Sequence, residues 1–302
     1  MMVRQIGFHA ALVLVLTFLP PGRPAFPFQG ESIQVRHKAR ALQPGEVIAF
    51  TIRSRERLAS VELLAFDKTF PAFATKDTLV WNALVGIDLE SRPGSYVARI
   101  RAATKSAELA ELQYKLVVRP KAFPTRRLTV DEKYVTPPPE VLDRIALETK
   151  RVGAILAAVS DGKYWNGRFV SPVPGPVISE FGKRNIINGK PRSPHAGTDF
   201  RAQSGTPVRA PNAGRIVLAE DLYFSGNTVI IDHGQGLYSY FAHLSGFAAR
   251  VGDVVERGDV VGQVGATGRV TGPHLHWSVR LVGTRVDPLS LIAVLGPNKA
   301  AY

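Results

Sequence analysis

The sequence predicts a mainly β protein with an N-terminal β-sandwich, one linker helix and a compact antiparallel β domain in its C-terminal half. Short runs rich in β-branched and aromatic residues recur in both halves, bounded by glycine and proline turn signals. One segment between the halves repeats apolar residues at helical spacing instead. The chain has 302 residues, which is longer than most single domains and supports a division into two folding units.

The N-terminal stretch has the pattern of a secretory signal peptide. Arg4 supplies a basic start, residues 6–19 are largely apolar, and Pro20 begins a break that precedes small residues near Ala25. We therefore predict a signal peptide over residues 1–25 and an exported chain in the periplasm or cell envelope. The apolar run is shorter than the roughly 20 residues of a membrane-spanning helix, so an uncleaved anchor is the weaker alternative.

Composition limits the kinds of partner and metal site. The sequence contains no cysteine, so an exported fold lacks disulfides and any metal must be held by histidine and carboxylate. The net charge of +13 is spread over both halves rather than gathered in a stripe. We therefore expect no nucleic-acid partner. The charge suits either a soluble basic protein or one loosely associated with an anionic envelope.

Residues 29–119 are predicted to form the β-sandwich. Runs such as 46–53, 60–66 and 94–101 alternate with turn signals, and about seven short strands fit within these roughly 90 residues. His37 lies among basic residues, where a solvated strand face explains it better than a ligand role. No catalytic cluster is evident in this domain.

Residues 120–166 are predicted to be a proline-rich connector followed by a helix. Five prolines lie between residues 119 and 139, and apolar residues then recur at helical spacing until Gly162 ends the pattern. The apolar stripe comprises Val141, Leu142, Ile145, Val152, Ile155, Leu156 and Val159. We expect this stripe to pack between the two domains.

The C-terminal domain, residues 167–295, combines predicted strands with a cluster of potential metal ligands. His195 and Asp199 are four residues apart, and His243 follows in a strand-like run. His274 and His276 alternate along one predicted strand, so they project from the same face. His233 follows a predicted strand and is best explained as a structural turn residue.

These residues fit a catalytic zinc site, which commonly has three protein ligands and one open position. His195, Asp199 and one of the pair His274 and His276 satisfy that number, leaving the other imidazole and His243 for proton transfer or for stabilising an oxyanion. Scattered structural histidines are the alternative, but the paired spacings and glycine-rich flanks argue against coincidence. A closed structural zinc site would usually contain cysteine.

Three motifs resemble the signatures of the lysostaphin-type (LytM-like) zinc metallopeptidases. They are Pro-His-Ala-Gly-Thr-Asp at 194–199, Asp-His-Gly at 232–234 followed by Tyr-Phe-Ala-His-Leu at 240–244, and the run at 265–277 that contains Gly-Pro-His-Leu-His. They occur in the family's order, and the resemblance covers about residues 168–290. It implies a compact antiparallel β metallopeptidase domain with one zinc ion per chain.

By the same resemblance His195, Asp199 and His276 would bind the zinc, and His243 and His274 would be catalytic. The implied substrate is the peptide cross-link of bacterial peptidoglycan, with its peptide stems as partners. The segment 126–196 is similar to exported members that carry an N-terminal immunoglobulin-like domain. Some members are non-catalytic peptidoglycan-binding proteins or hydrolase activators. Every motif position is filled here, which favours a zinc endopeptidase.

Overall fold

The computed structural model describes residues 33–76, 78–104, 109–129 and 136–296. The predicted signal peptide, residues 1–25, and the first residues of the predicted sandwich lie outside these ranges. Within them the chain is mainly β, as the sequence predicts, with two α-helices. Neither of these helices is long and apolar enough to cross a membrane.

Seven strands form the N-terminal sheet. They are β1 (Ile33–Ala39), β2 (Val47–Ser54), β3 (Leu58–Ala65), β4 (Lys68–Ala74), β5 (Val80–Gly86), β6 (Gly94–Thr104) and β7 (Leu109–Val118). Their spatial order is β1-β2-β5-β4-β3-β6-β7, and every pairing is antiparallel.

The two halves of this sheet face each other across an apolar core. Strand β4 pairs with β3 in its first half and with β5 in its second half, so it passes from one half to the other. The ring centroids of Phe50 in β2 and Tyr114 in β7 are 5.5 Å apart in an edge-on contact. This region is therefore a β-sandwich, in agreement with the sequence prediction.

The connector is more structured than its prolines suggested. It contains β8 (Thr125–Leu128), a 3₁₀ turn at Pro139–Val141 and helix α1 (Leu142–Ala157). Strand β8 pairs in parallel with β10 (Arg184–Ile187) of the C-terminal half, and β10 pairs in turn with β11 (Lys190–Pro191). The connector thus joins the C-terminal half by backbone hydrogen bonds.

Helix α1 packs on the C-terminal sheet rather than between the two domains. Leu156 forms a small apolar cluster with Leu218, Ile230 and Tyr238, while Leu142 at the start of the helix is half exposed. The helix supplies part of the apolar cover for one face of that sheet. We therefore propose that residues 120–166 belong structurally with the domain 167–295, and that the sandwich ends near residue 119.

The remaining strands form a ten-stranded sheet. They are β9 (Val177–Ser179), β12 (Thr198–Phe200), β13 (Pro207–Arg209), β14 (Gly214–Leu222), β15 (Gly226–Gly234), β16 (Leu237–Phe247), β17 (Val254–Val255), β18 (Val260–Val264), β19 (Leu275–Leu281) and β20 (Thr284–Val286). The main path runs β17-β14-β15-β16-β19-β12-β9, and helix α2 (Pro288–Leu295) follows. Trp277 and Phe241 stack inside this sheet's core with ring centroids 6.4 Å apart.

Polar contacts fix the sandwich to the C-terminal domain. Asp287 accepts a hydrogen bond from the amide of Leu289, which caps α2, and its carboxylate lies 2.5 Å from the Arg40 guanidinium. Its own amide donates to the carbonyl of Gly45 at 2.7 Å. Buried residues of both sheets belong to one continuous apolar cluster. The two domains therefore share an interface of core type rather than a hinge.

Replacing Asp287 tests this interface. Asp287→Ala removes a helix cap and one carboxylate partner of a partly buried guanidinium, so we expect a loss of about 2 kcal/mol in unfolding free energy. Urea denaturation measures this loss. Glu111→Ala is the control, because Glu111 pairs with Arg101 at an exposed site and should cost well under about 1 kcal/mol. Equal effects of the two substitutions would contradict a structural role for Asp287.

Candidate metal centre

Strand pairing brings the proposed ligands together. Asp199 in β12 is the direct cross-strand partner of His276 in β19, and His195 lies in the loop that enters β12. Gly197 allows this loop to approach, because a Cβ atom there would lie 2.6 Å from the His276 ring and 2.6 Å from the carbonyl oxygen of Trp277. A side chain at position 197 would therefore displace His276 or the strand that carries it.

Three potential ligand atoms converge at one point. His195 Nε2 lies 3.0 Å from Asp199 Oδ1 and 3.0 Å from His276 Nδ1, and the distance between His276 Nδ1 and Asp199 Oδ1 is 2.8 Å. The group satisfies the spacing expected of residues that hold a metal ion. The structure thus assembles the three residues that the sequence analysis proposed as ligands.

Hydrogen bonds on the side of each imidazole that faces away from Asp199 define which ring nitrogen carries a lone pair. His195 Nδ1 donates to the carbonyl of Glu180 at 2.9 Å. His276 Nε2 donates to Ser278 Oγ at 2.8 Å, because the serine hydroxyl uses its own proton on the carbonyl of Ala196 at 2.9 Å. In the neutral rings His195 Nε2 and His276 Nδ1 therefore carry lone pairs, and both point at Asp199.

The charges of the site fit a divalent cation. Burial opposes ionisation of Asp199, but hydrogen bonds that the protonated rings of His195 and His276 donate outweigh it and hold the pKa of the carboxyl well below its usual value. Burial also opposes protonation of His195, yet the bond to Asp199 raises its pKa, whereas burial lowers the pKa of His276. Two imidazole lone pairs and one carboxylate converge, a donor set well suited to zinc.

A β-bulge places His243 in the same site. Phe241 pairs with Val229 and Leu244 pairs with Asn227, so β16 contains one extra residue at this point. His243 adopts a φ of 64°, which is uncommon for a residue other than glycine. Its ring centroid lies 5.1 Å from that of His274. Without the bulge, strand alternation would send its side chain to the buried face that Phe241 occupies.

His243 and His274 complete a ring of imidazoles around the centre. Nδ1 of His243 donates to the carbonyl of Thr267 at 3.0 Å, and Nδ1 of His274 donates to that of Gly272 at 2.9 Å. His274 Nε2 is 3.9 Å from Asp199 Oδ1. Burial, followed by the nearby His276, lowers the pKa of His243 to about 4, so its Nε2 is an unprotonated acceptor at neutral pH.

The centre lies in a groove of about 630 Å³ whose walls include residues that the sequence analysis did not select. Arg126 of β8 and Val152 and Leu156 of α1 belong to the connector, and Ile187 belongs to β10. These residues reach the groove only through the pairing of β8 with β10 and the packing of α1. Val152 and Leu156 had a signal in the sequence, the amphipathic pattern of the helix, whereas Arg126 and Ile187 lie on short strands outside that helix.

Two neighbouring aromatic residues of β16 have different roles. Tyr240 faces the groove, with its ring centroid 6.4 Å from that of His276, and its hydroxyl donates to Ser225 Oγ at 2.6 Å. Phe241 faces the opposite way and is fully buried against Trp277. The groove therefore obtains a phenol from Tyr240, while Phe241 contributes only to the core.

His233 is separate from the centre. It is fully buried at the end of β15, where Nδ1 donates to the carbonyl of Ala213 at 2.8 Å and Nε2 accepts from Ser239 Oγ at 2.9 Å. Both ring nitrogens are thus satisfied within the core. This environment agrees with a structural role, although the residue belongs to a strand rather than to a turn.

Two imidazoles and a carboxylate on an antiparallel β-sheet, flanked by two further histidines, are compatible with the metal site of a metallopeptidase. Residues 193–288 match the model of Peptidase family M23. The chain is also similar to the crystal structure of a putative peptidase M23 from Pseudomonas aeruginosa, with 33% identity and a TM-score of 0.66 over 85% of this chain and 97% of that one. The chain belongs to peptidase family M23.

Curated relatives match over shorter stretches. DD-carboxypeptidase/endopeptidase Mpg of Neisseria meningitidis serogroup B is 45% identical over 97 residues, which are 32% of this chain and 22% of the relative. Peptidoglycan DD-endopeptidase ShyA of Vibrio cholerae serotype O1 is 40% identical over 114 residues, which are 37% of this chain and 26% of the relative. The chain thus spans about a quarter of the length of these relatives.

The burial of His233 predicts a pH dependence of stability. Burial lowers its pKa to about 4 from an ordinary value of 6.5. The folded pKa lies below the unfolded one, so the contribution of His233 is fully present above pH 6.5 and is lost as the pH falls through 4. We expect this residue to lower the unfolding free energy by about 3 kcal/mol across that window.

Urea denaturation at a series of pH values, with a chelator present throughout, measures this effect. The variant His233→Gln carries no titrating ring, so its stability should vary less with pH between 6.5 and 4 than that of the unmodified protein. Parallel pH profiles for the two proteins would show that His233 is not the titrating group.

Proposed function

We propose that this chain is a zinc-dependent endopeptidase that hydrolyses peptide cross-links of bacterial peptidoglycan. The observation that carries the proposal is the convergence of three potential ligand atoms, from His195, Asp199 and His276, beside two further imidazoles. One zinc ion per chain would be bound by these three residues. The names of two relatives, both endopeptidases, support the choice of reaction and substrate.

A zinc ion at this centre would supply Lewis acidity, lowering the pKa of a water molecule to roughly 7 and polarising the amide carbonyl. The chain itself must then move protons and stabilise the developing charge. His243 can accept a proton at Nε2, because its Nδ1–H is fixed on the carbonyl of Thr267 and leaves the lone pair of Nε2 free. His274 presents Nε2 on the same side, so either ring can accept a proton at Nε2, and the protonated ring can then donate that proton in a hydrogen bond to the oxyanion.

The setting of the reaction follows from the same proposal. Peptidoglycan lies outside the cytoplasmic membrane, so the chain would be exported and act in the periplasm or cell envelope. Its peptide stems would be the partners, and the groove of about 630 Å³ beside the candidate metal centre would receive them. The net charge of +13 suits a soluble protein or a loose association with the anionic envelope.

Alanine variants of the five site residues test the assignment of ligands and catalytic groups. His195→Ala, Asp199→Ala and His276→Ala should each lose zinc and activity, because each removes one of three ligands. His243→Ala and His274→Ala should retain zinc, and hydrolysis should fall by about 10²–10⁴-fold. Metal analysis and the cleavage rate of a soluble cross-link peptide are measured on the same preparations.

The outcomes separate three possibilities. If His274→Ala lacks zinc while His276→Ala retains it, the roles of these two histidines are reversed. A folded protein with one zinc that releases no fragments from purified sacculi, but stimulates another wall hydrolase, would be a non-catalytic activator. Release of fragments that requires zinc supports the peptidase.

Ser278→Ala tests whether the hydroxyl positions His276. The substitution leaves Nε2–H of His276 without its acceptor, so the ring loses the bond that directs Nδ1 toward Asp199. We expect zinc affinity to fall about 10- to 100-fold, the usual effect of removing a partner of a metal-bound histidine. Chelator competition measures the affinity. Ser245→Ala is the matched control, because the Ser245 hydroxyl donates to the carbonyls of Gln263 and Val264. The zinc affinity of this variant should be unchanged.

A further inference from the structure

A second pocket, here called the α1 pocket, opens from the metal groove and lies beneath helix α1. It has a volume of about 490 Å³, and Val152, Leu156, Tyr240 and Arg280 line both the pocket and the groove. A ligand held at the metal centre can therefore extend into this pocket without leaving the protein surface.

Arg280 lies on the same face of β19 as the proposed ligand His276. His276, Ser278 and Arg280 alternate along β19, so their side chains share one face. Arg280 Nη1 lies 3.4 Å from the carbonyl oxygen of Ala196, which is adjacent to the proposed ligand His195. The guanidinium thus reaches from the α1 pocket toward the metal centre.

Arg280 lacks a carboxylate partner among the described residues. Its two hydrogen bonds, to the carbonyls of Ala196 and Val279, are long at 3.4 and 3.5 Å. Arg285, its direct cross-strand neighbour, binds Asp88 at 2.5 Å and Glu90 at 2.7 Å. Asp88, whose charge acts on Arg280, is therefore already engaged by another arginine.

The other charged groups of the α1 pocket do not neutralise Arg280. Lys68 Nζ donates to the carbonyl of Val282 at 2.8 Å and adds a second positive charge. Glu148 accepts from Arg144 Nε at 2.6 Å and from the amide of Tyr223 at 2.9 Å, so its two oxygens are occupied. Burial, followed by the charge of Arg285, lowers the pKa of Arg280 to about 10, and an anion in the pocket would relieve this cost.

We propose that the α1 pocket receives a free carboxylate of the substrate peptide and that Arg280 binds it. The inference rests on the proposed peptidase function and specifies its substrate: a peptide with a carboxylate close to the cleaved amide. A guanidinium matches a carboxylate through two parallel hydrogen bonds. The apolar wall formed by Ile145, Leu222 and Phe224 would contact the carbon skeleton that carries this group.

Equilibrium binding of a matched peptide series tests the proposal. The probe is a fluorescently labelled cross-linked stem peptide in three forms: unmodified, with the chain-terminal carboxylate converted to a carboxamide, and with only the branch carboxylates so converted. Affinities are measured on zinc-loaded His274→Ala protein, so that the peptide is not consumed. We expect one amidated form to bind about 10- to 100-fold more weakly than the unmodified peptide, which identifies the carboxylate recognised.

Variants of Arg280 assign this preference to the guanidinium. Arg280→Gln, added to the His274→Ala protein, should lower the affinity for the unmodified peptide to that of the weaker-binding amidated form. The affinity for that amidated form should stay unchanged. Arg280→Lys should restore part of the difference because it keeps the charge. Arg215→Gln is the control, since Arg215 is exposed on β14 and lines neither the groove nor the α1 pocket. It should bind all three peptides as its parent does.

Equal affinity of the parent protein for all three peptides would overturn the proposal. An equal loss of affinity for all three peptides on substitution of Arg280 by Gln would also overturn it. If Arg280→Gln does not fold, the comparison of the three peptides on the parent protein decides. Cleavage by the unmodified protein is assayed separately. If the protein prefers a carboxylate but does not cleave, the proposed peptidase function is wrong and the proposed role of the α1 pocket stands. If it cleaves without that preference, the peptidase function stands and the role of the pocket is wrong.

Discussion

The metal centre depends on one repeated interaction: each of its four histidines donates its single N–H away from the site. His195, His243 and His274 donate to main-chain carbonyls, and His276 donates to Ser278. Each neutral ring therefore turns a bare nitrogen toward Asp199 or the groove. Because three of the four acceptors belong to the backbone, the proton positions are set mainly by the path of the loops rather than by other side chains.

The rest of the C-terminal domain serves to hold those loops. The pairing of β12 with β19 places Asp199 opposite His276, and β16 on the other side of β19 carries His243. The core beneath, with Trp277 stacked on Phe241, fixes the spacing of the two strands. A close-packed core of this kind resists small displacements, which suits a site whose donors lie 2.8–3.0 Å apart.

Local patterns predicted several of the strands and selected residues that the structure brings together. Alternation over residues 236–244 and 274–281 located β16 and β19, and the spacing of His195 and Asp199 indicated a candidate metal site. The bulge at His243 could not be predicted, because a positive φ at a residue other than glycine leaves no regular pattern. The pairing of β8 with β10 was equally hidden, since short strands in a proline-rich segment acquire their partners only through tertiary structure.

The residues that form the groove come from two separate parts of the chain. All the proposed ligands and catalytic histidines come from the strands and loops after residue 190, whereas β8 and α1, which form part of the groove wall, come from the connector. Part of the groove wall is therefore encoded apart from the candidate metal ligands, whereas Arg280 shares β19 with His276. A substitution in the connector can reshape one side of the groove while every proposed ligand stays as it is.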